Sequence, residues 1–323
     1  MTIVYASDKN YAPLTAISAV SALKHNPGSE IVLIGYNLEQ DAQDTVRTRV
    51  EKAGGKFVYY NVSEEIEKVK ATGCNGYTSY AAYARIFIPN LLKREGRVLY
   101  LDGDTLVNDS LSELLETDMK GKPIALAVDC VPFAFKKVIN VADDVPYFNS
   151  GVMVIDLDAW RRRDVTARFI AELNNPNGPN PLGDQDIFVR VFHDDIALIA
   201  PKWNFISHFF LFSYKGLCRV VGGEKLLMFS KEDYKEAHRD PRVFHFLGQT
   251  LGRPWYTSSR HPMRDAYRKA AAEAGLAEFV KQTRPMSIDY KLQYWLHWLL
   301  PQFAFDIICN CLYRVNIWRN YKI

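Results

Sequence analysis

The first hundred residues alternate short apolar runs with segments of helical periodicity, and this alternation limits the fold more than any other feature of the sequence. Ile3–Ala6 reads as a short strand, Pro13 through Lys24 as a helix with proline in its first turn, and Glu30–Tyr36 as a buried strand. Ala42–Ala53 is an amphipathic helix closed by Gly54-Gly55, and Lys56–Val62 is a third strand. Tyr80–Leu92 has helical spacing, and Arg97–Leu101 is a strand that runs straight into Asp102-Gly103-Asp104. Strands and helices in turn predict an α/β domain with a mostly parallel sheet. In open sheets of this kind ligands collect at the carboxyl ends of the strands. Two polar clusters fall there, Ser7-Asp8-Lys9-Asn10 after the first strand and Asp102–Asp104 after the fourth, so a site is expected between them.

The second half is less regular. Pro123–Asp129, Val152–Ile155, Ala197–Ala200, Leu226–Phe229 and Val243–Phe246 are strand candidates. Asp158–Leu173, Asp184–Phe192 and Met263–Lys281 are expected helices, and the Asn- and Pro-rich stretch 174–182 a linker or active-site loop. No Gly-x-Gly-x-x-Gly follows a strand, which disfavours a dinucleotide-binding dehydrogenase. A net charge of +3 argues against a nucleic-acid partner. The five cysteines are scattered without a Cys-x-x-Cys pair, so neither a disulfide framework nor a zinc site is suggested. The opening residues lack a basic segment followed by a long apolar run, and no stretch has the length to span a bilayer, so a cytoplasmic enzyme is expected.

Asp102 and Asp104 are the strongest local signal. Two carboxylates separated by a glycine converge when a strand ends in a turn, and they repel unless a cation neutralises them. Hard oxygen ligands suit Mg²⁺ or Mn²⁺, ions that commonly bridge to substrate phosphates. The alternative is a pair of acids in a solvated turn. The run Asp102-Gly103-Asp104-Thr105-Leu106 also resembles the haloacid-dehalogenase phosphatases, in which the first Asp is a nucleophile, but Leu106 stands where that family has Thr or Val.

Several segments together resemble glycosyltransferase family 8, the retaining enzymes of the GT-A fold, and within it the bacterial lipooligosaccharide and lipopolysaccharide α-galactosyl- and glucosyltransferases. They are IVYASDKNY (3–11), YARIFIPNLL (83–92), VLYLDGDTLV (98–107), YFNSGVMVIDLDAWR (147–161), LGDQDIF (182–188) and HFLG (245–248) with RPW (253–255). Their order along residues 1–255 carries the resemblance. It implies a UDP-hexose donor, a saccharide or glycolipid acceptor, and Mn²⁺ (or Mg²⁺) held by Asp102, Asp104 and His245. It implies uridine contacts from Ala6, Asp8 and Asn10, with Tyr11 free to stack on the base or to sit in the core. Arg85 and Gly103 would lie near the sugar-phosphate, the alternative for Arg85 being a structural salt bridge; Asn149, Ser150 and Gly151 would line the sugar, and Asp129 would bond the sugar or the acceptor. Asp184 and Gln185 would lie against the sugar ring. Gln185 is a poor nucleophile, so front-face attack by the acceptor hydroxyl is expected rather than a two-carboxylate double displacement. The sequence departs from the family at the pyrophosphate-binding segment, where Gly248 is followed by two extra residues and Arg253 replaces a lysine. A self-glycosylating primer of the glycogenin kind is the alternative within this resemblance.

The last 33 residues hold four basic residues and one acid; set against chain totals of 40 and 37, this leaves 36 of each sign in the first 290. They also hold Trp295, Trp298 and Trp318. Aromatic and basic residues mixed with aliphatics suit a helix lying in a membrane interface. The expected division is therefore a catalytic domain over 1–280 and a tail over 281–323 that touches the inner face of the cytoplasmic membrane through 290–323. The alternative is a C-terminal helix packed on the domain.

Overall fold

The computed structural model describes residues 1–323 apart from 71–79, 249, 280, 282–286 and 323. Cys74 and Gln249 lie outside the described residues. Seven strands form a mixed sheet in the order β3-β2-β1-β4-β7-β6-β8: β1 Thr2–Ser7, β2 Glu30–Gly35, β3 Lys56–Asn61, β4 Arg97–Leu101, β6 Ile124–Val128, β7 Phe148–Asp156 and β8 Ile196–Leu198. The central strands β1, β2 and β4 are apolar along nearly their whole length because helices cover both faces. β1, β2, β3 and β4 run parallel, and β7 is antiparallel to both β4 and β6.

That reversal matters for the site. The start of β7, not its end, lies beside the carboxyl ends of β1, β4 and β6. The β6–β7 register slips between Leu126 and Ala127, so Ala127 pairs with Asn149 while Leu126 pairs with Met153. Ser150 and Gly151 bulge toward Asp102, whose amide donates to the Gly151 carbonyl at 2.8 Å.

A second, small sheet takes β5 (Thr105–Val107), β10 (Val243–His245) and β9 (Phe205–Ile206) in the order β5-β10-β9. The antiparallel pairing of His245 with Thr105 and the bond from Phe246 N to Asp104 O at 3.1 Å carry a distant histidine to the acidic pair.

Several expectations need correction. Tyr80–Phe87 is a 3₁₀ helix followed by a short α-helical turn, Ile88–Leu91. Pro89 lacks the amide that a continuous α-helix would use and opens a new turn instead. The expected helix over Asp158–Leu173 is two, Leu157–Arg162 and Val165–Leu173, divided at left-handed Asp164. Leu226–Phe229 is not a strand; it is the end of a helix, Glu224–Leu227, stopped by Met228 at φ 57°. The Met263–Lys281 helix shortens to Arg264–Glu273, with Gly275 left-handed just beyond.

The tail breaks at Pro301 into two helices, Ile288–Leu299 and Gln302–Tyr321. The second packs on the body through buried Phe305, Asp306, Cys309 and Ile317. Phe305 packs against Phe212 with tilted rings 5.4 Å apart, and burying a side chain of this kind stabilises by about 1.5–3 kcal/mol. Asp306 accepts from the Ser213 hydroxyl and amide at the start of the helix Tyr214–Val221 and from Gln302 at 2.8 Å. Gly216 leaves room for it, since a Cβ there would lie 2.4 Å from the Asp306 carboxyl carbon. The outer faces of the same helices expose Trp295, Trp298, Leu299, Phe303 and Trp318. Among the described residues no helix is long and apolar enough to cross a membrane.

Candidate active site

A cavity of about 1080 Å³ opens along the carboxyl edge of the large sheet. Every site residue expected from the sequence lines it except Gly151, which lies just beneath. The order of lining residues follows the strand order: Ala6 at the end of β1 with Asp8, Asn10 and Tyr11 after it, Asp102 and Asp104 after β4, Asn149 and Ser150 at the start of β7, and Asp129 after β6.

At its centre Asp102, Asp104 and His245 each offer one ligand atom, and these atoms lie within 4.8 Å of one another. His245 Nε2 sits 3.3 Å from Asp104 Oδ1 and 3.7 Å from Asp102 Oδ2, yet it is buried without a formed hydrogen bond among the described residues. Nδ1 of the same ring faces Asn204 Oδ1 at 3.0 Å. Asn204 therefore holds the proton on Nδ1 and turns the Nε2 lone pair toward the carboxylates, the arrangement that a metal-ligating histidine requires. A Cβ on Gly151 would fall 2.1 Å from His245 Cε1 and 2.8 Å from Asp102 Oδ2, so glycine is needed for the approach. Gly103 has a similar cause: a Cβ would meet Thr15 Oγ1 at 2.5 Å. An orphaned buried nitrogen, two converging carboxylates and a mixed oxygen and imidazole donor set fit a divalent cation.

Two arginines balance the acids. Arg85 is 3% exposed and fully engaged: Nη2 donates to Asp102 Oδ1 at 2.9 Å, Nη1 to Ser150 O at 2.6 Å and Nε to Ala82 O at 2.8 Å. Its Nε also lies 3.3 Å from Asp184 Oδ2, and its guanidinium stacks on Tyr100 at 4.4 Å. Tyr100 OH donates to the same Asp102 oxygen at 2.7 Å. Arg85 thus orients Asp102 and Asp184 from the cavity wall. Arg253 donates to Asp104 Oδ2 and lies over the Trp255 ring at 5.4 Å. Burial pushes the Asp104 carboxyl up, but the cationic partners that face it, Arg253 among them, outweigh this and hold the group well below the usual carboxylate range. The Asp104 charge, with burial, pushes the Tyr11 phenol up to about 12.

Beside the metal-ligand cluster runs a chain of amides. Gln185 Nε2 donates to Asp129 Oδ2 at 3.0 Å, and its Oε1 accepts from Asn149 Nδ2 at 3.1 Å. Asn149 Nδ2 also donates to Asp129 Oδ2 at 2.9 Å, and its Oδ1 accepts from Asn204 at 2.8 Å. Asp184 begins the helix Asp184–Phe192, entered through Gly183 at φ 79°, and accepts from Ser150 Oγ at 3.0 Å. Burial against the helix start raises the Asp184 carboxyl despite Arg85. Asp8 Oδ1 accepts from the amides of Asn10 and Tyr11 at 2.9 and 3.1 Å and so shapes the first loop.

The cavity and the layer behind it contain residues that sequence reasoning missed. Asn204 gave no spacing signal, being a single polar residue before a two-residue strand. Lys281 lies over the Tyr11 ring at 5.4 Å and donates to Asn10 O at 2.8 Å. His208 and the inner face of the terminal helix, Tyr313, Asn316, Ile317 and Asn320, form the far wall. Their 3–4-residue spacing within the tail was a signal available in the sequence.

A profile of Glycosyl transferase family 8 matches residues 2–259. General stress protein A of Bacillus subtilis (strain 168) is 27% identical over 274 residues, 83% of this chain and 91% of that protein. Lipopolysaccharide 1,2-glucosyltransferase of Escherichia coli (strain K12) is 23% identical over 303 residues, 91% of this chain and 84% of that one. The crystal structure of the galactosyltransferase LgtC in complex with donor and acceptor sugar analogs superposes with a TM-score of 0.69 at 22% identity, covering 90% of this chain and 99% of that one. The fold is the GT-A fold, and the chain belongs to glycosyl transferase family 8.

Proposed function

We propose that the protein transfers a hexose from a UDP-hexose to a saccharide acceptor of a bacterial surface glycan, with retention of anomeric configuration and with Mn²⁺, or Mg²⁺, at Asp102, Asp104 and His245. The observation that carries this reading is the metal-ligand geometry, in which a buried His245 Nε2 without a hydrogen-bond partner faces two carboxylates at the edge of a cavity. A bound divalent cation would supply positive charge to the donor diphosphate as the sugar departs.

The chain's own residues would do the rest. Ala6 at the end of β1, with Asp8 and Asn10 just after it, binds the uridine, with Tyr11 alongside. Arg253 approaches the diphosphate from the side of Asp104. Asn149, Ser150 and Asp129 hold the sugar hydroxyls. Gln185 is pinned at both ends of its amide, by Asp129 and by Asn149, so its carbonyl oxygen is an oriented dipole. It stabilises the positive charge that develops at the anomeric carbon while the acceptor hydroxyl attacks from the same face. Of the two carboxylates that flank it in sequence, Asp184 is engaged by Ser150 and Arg85, and Asp186 by Tyr147 and the Leu182 amide. That placement favours the single-face route over a carboxylate nucleophile.

We place the protein on the cytoplasmic side of the cell and propose that its exposed tail aromatics contact the membrane surface. Trp295, Trp298, Phe303 and Trp318 are 56–68% exposed, and Arg314, Arg319 and Lys322 lie among or near them. Trp298→Ser with Trp318→Ser is expected to abolish co-sedimentation with anionic liposomes and to leave turnover of a water-soluble acceptor unchanged; undiminished co-sedimentation refutes this part.

The donor reaction is tested by a screen of UDP-hexoses with Mn²⁺, scoring UDP release with and without EDTA. Release stimulated by one UDP-hexose and abolished by EDTA is the expected result; no release from any of them refutes the reading. A mass increase of the protein with donor alone would instead identify a self-glycosylating primer.

A further inference from the structure

The cavity is longer than its nucleotide and metal contacts. Its loops follow the strand order β1-β4-β7-β6, three inter-strand steps or about 14 Å from the Asp8 loop to Asp129. Beyond Asp129 the lining continues without a strand. There the wall is Phe135, His208 and the inner face of the terminal helix, Tyr313, Asn316 and Asn320.

This far wall has its own chemistry. The Phe135 ring lies 6.1 Å from Tyr147 on one side and 6.1 Å from Tyr321 on the other. Tyr313 lies 6.0 Å from Phe212, on which His208 stacks with rings 15° apart. Set among these rings are polar atoms without protein partners. His208 Nδ1 is buried and makes no hydrogen bond. Asn320 and Arg319 donate to Asn316 Oδ1 at 2.7 and 3.3 Å; Asn316 is half-buried and Asn320 exposed, and the Asn316 amide nitrogen and the Asn320 carbonyl oxygen make no hydrogen bond among the described residues. One donor and one acceptor, a turn apart on a helix, match neighbouring ring hydroxyls, each of which donates and accepts. Aromatic faces beside them match the apolar C–H face of a pyranose. Burial holds the His208 imidazole below its ordinary range and so keeps it neutral near pH 7.

We propose that Tyr313, Asn316 and Asn320 of the terminal helix, with His208 and Phe135, form the acceptor subsite and bind a pyranose there. This rests on the proposed transferase reading and deepens it: the tail is the wall that selects the acceptor. The pyranose belongs to a free glycan or to a lipid-linked one, and its recognition is the same in both.

The test uses the full-length protein with Mn²⁺ and UDP, and a panel of methyl hexopyranosides observed by saturation-transfer NMR. At least one methyl hexopyranoside is expected to bind the wild type. Asn316→Ala with Asn320→Ala is expected to weaken that binding about tenfold or more, since two hydrogen bonds to the sugar are lost. His208→Phe, which keeps the ring stack, is the second variant and is expected to weaken it severalfold. Metal-stimulated UDP release in the absence of acceptor is expected to stay within about twofold of wild type in both, because neither touches the metal ligands or the β1 loop. Tighter binding of octyl than of methyl glycosides would assign the pyranose to a lipid-linked acceptor, and equal binding to a free one. Binding of no methyl hexopyranoside by the wild type, or equal binding by wild type and both variants, overturns the subsite. UDP release is read on a separate channel, so a failure of the transferase reading, with no release from any UDP-hexose in the wild type, is distinguishable from a failure of the subsite.

Discussion

The two ends of the cavity are built differently. At the metal end polar atoms are held several times over: Asp102 by Arg85 and Tyr100, Asp104 by Arg253, His245 by Asn204, and Gln185 by Asp129 and Asn149. At the far end the polar groups of the terminal helix make few bonds, and the helix's outer face is exposed. Groups that must stabilise developing charge need fixed positions, because reorganising them during the reaction costs rate. Groups that choose among acceptors tolerate a looser setting. The first region is therefore expected to control turnover and the second to control which sugar is accepted.

Variants can break that division. Asp104→Asn removes one of two converging carboxylates and is expected to lower kcat/KM by about 10³-fold or more, measured as initial rates at saturating Mn²⁺. A loss below tenfold would mean that the acidic pair is not the centre of the reaction. Phe305→Ala empties the packing between the terminal helix and Phe212 and is expected to cost about 3–5 kcal/mol in urea unfolding. The rate per folded molecule on donor alone should stay near wild type; a parallel fall would mean that the far wall supports the metal end after all.

Gly151→Ala presses a methyl group against His245 and is expected to weaken metal affinity about 10–100-fold, read by Mn²⁺ titration. Wild-type affinity in this variant would show that the histidine is not a ligand.

The smallest expected effect concerns Asp186, which lies behind the cavity. Burial pushes its carboxyl up to about 7 although Tyr147 OH and Leu182 N both donate to it. Its unfolded value is near 4, so between those limits the folded state binds more protons than the unfolded one. Stability from this group is full below about pH 4 and is lost as pH rises from there through 7. Asp186→Asn should flatten the decline between pH 5 and pH 8 in denaturant melts; an unchanged slope would assign it to another group.

The sequence carried the metal end further than the far end. Apolar runs that finish at Ser7-Asp8 and at Asp102-Gly103-Asp104 announce themselves, because a strand buried on both faces must be apolar and its polar stop must be surface or site. His245 was readable only through the resemblance of its neighbours, since its approach to Asp104 depends on a three-strand sheet whose members come from three distant stretches. Asn204 left no local mark: its role is a single side-chain bond to that histidine. The Tyr80–Phe87 segment has helical apolar spacing, but Pro89 decides its geometry. In the tail the aromatic and basic composition drew attention to the outer face. The helical spacing of the inner face, with Asn316 and Asn320 four residues apart, was readable, but that this face points inward is known only once the helix is docked.

The central claim is that Asp102, Asp104 and His245 hold one divalent cation. Electron paramagnetic resonance titration of Mn²⁺ into the full-length protein in the presence of UDP tests it directly. One ion per chain in the wild type, with affinity reduced about 100-fold or more in His245→Ala, is the predicted result. Equal Mn²⁺ affinity in the wild type and in His245→Ala would contradict it.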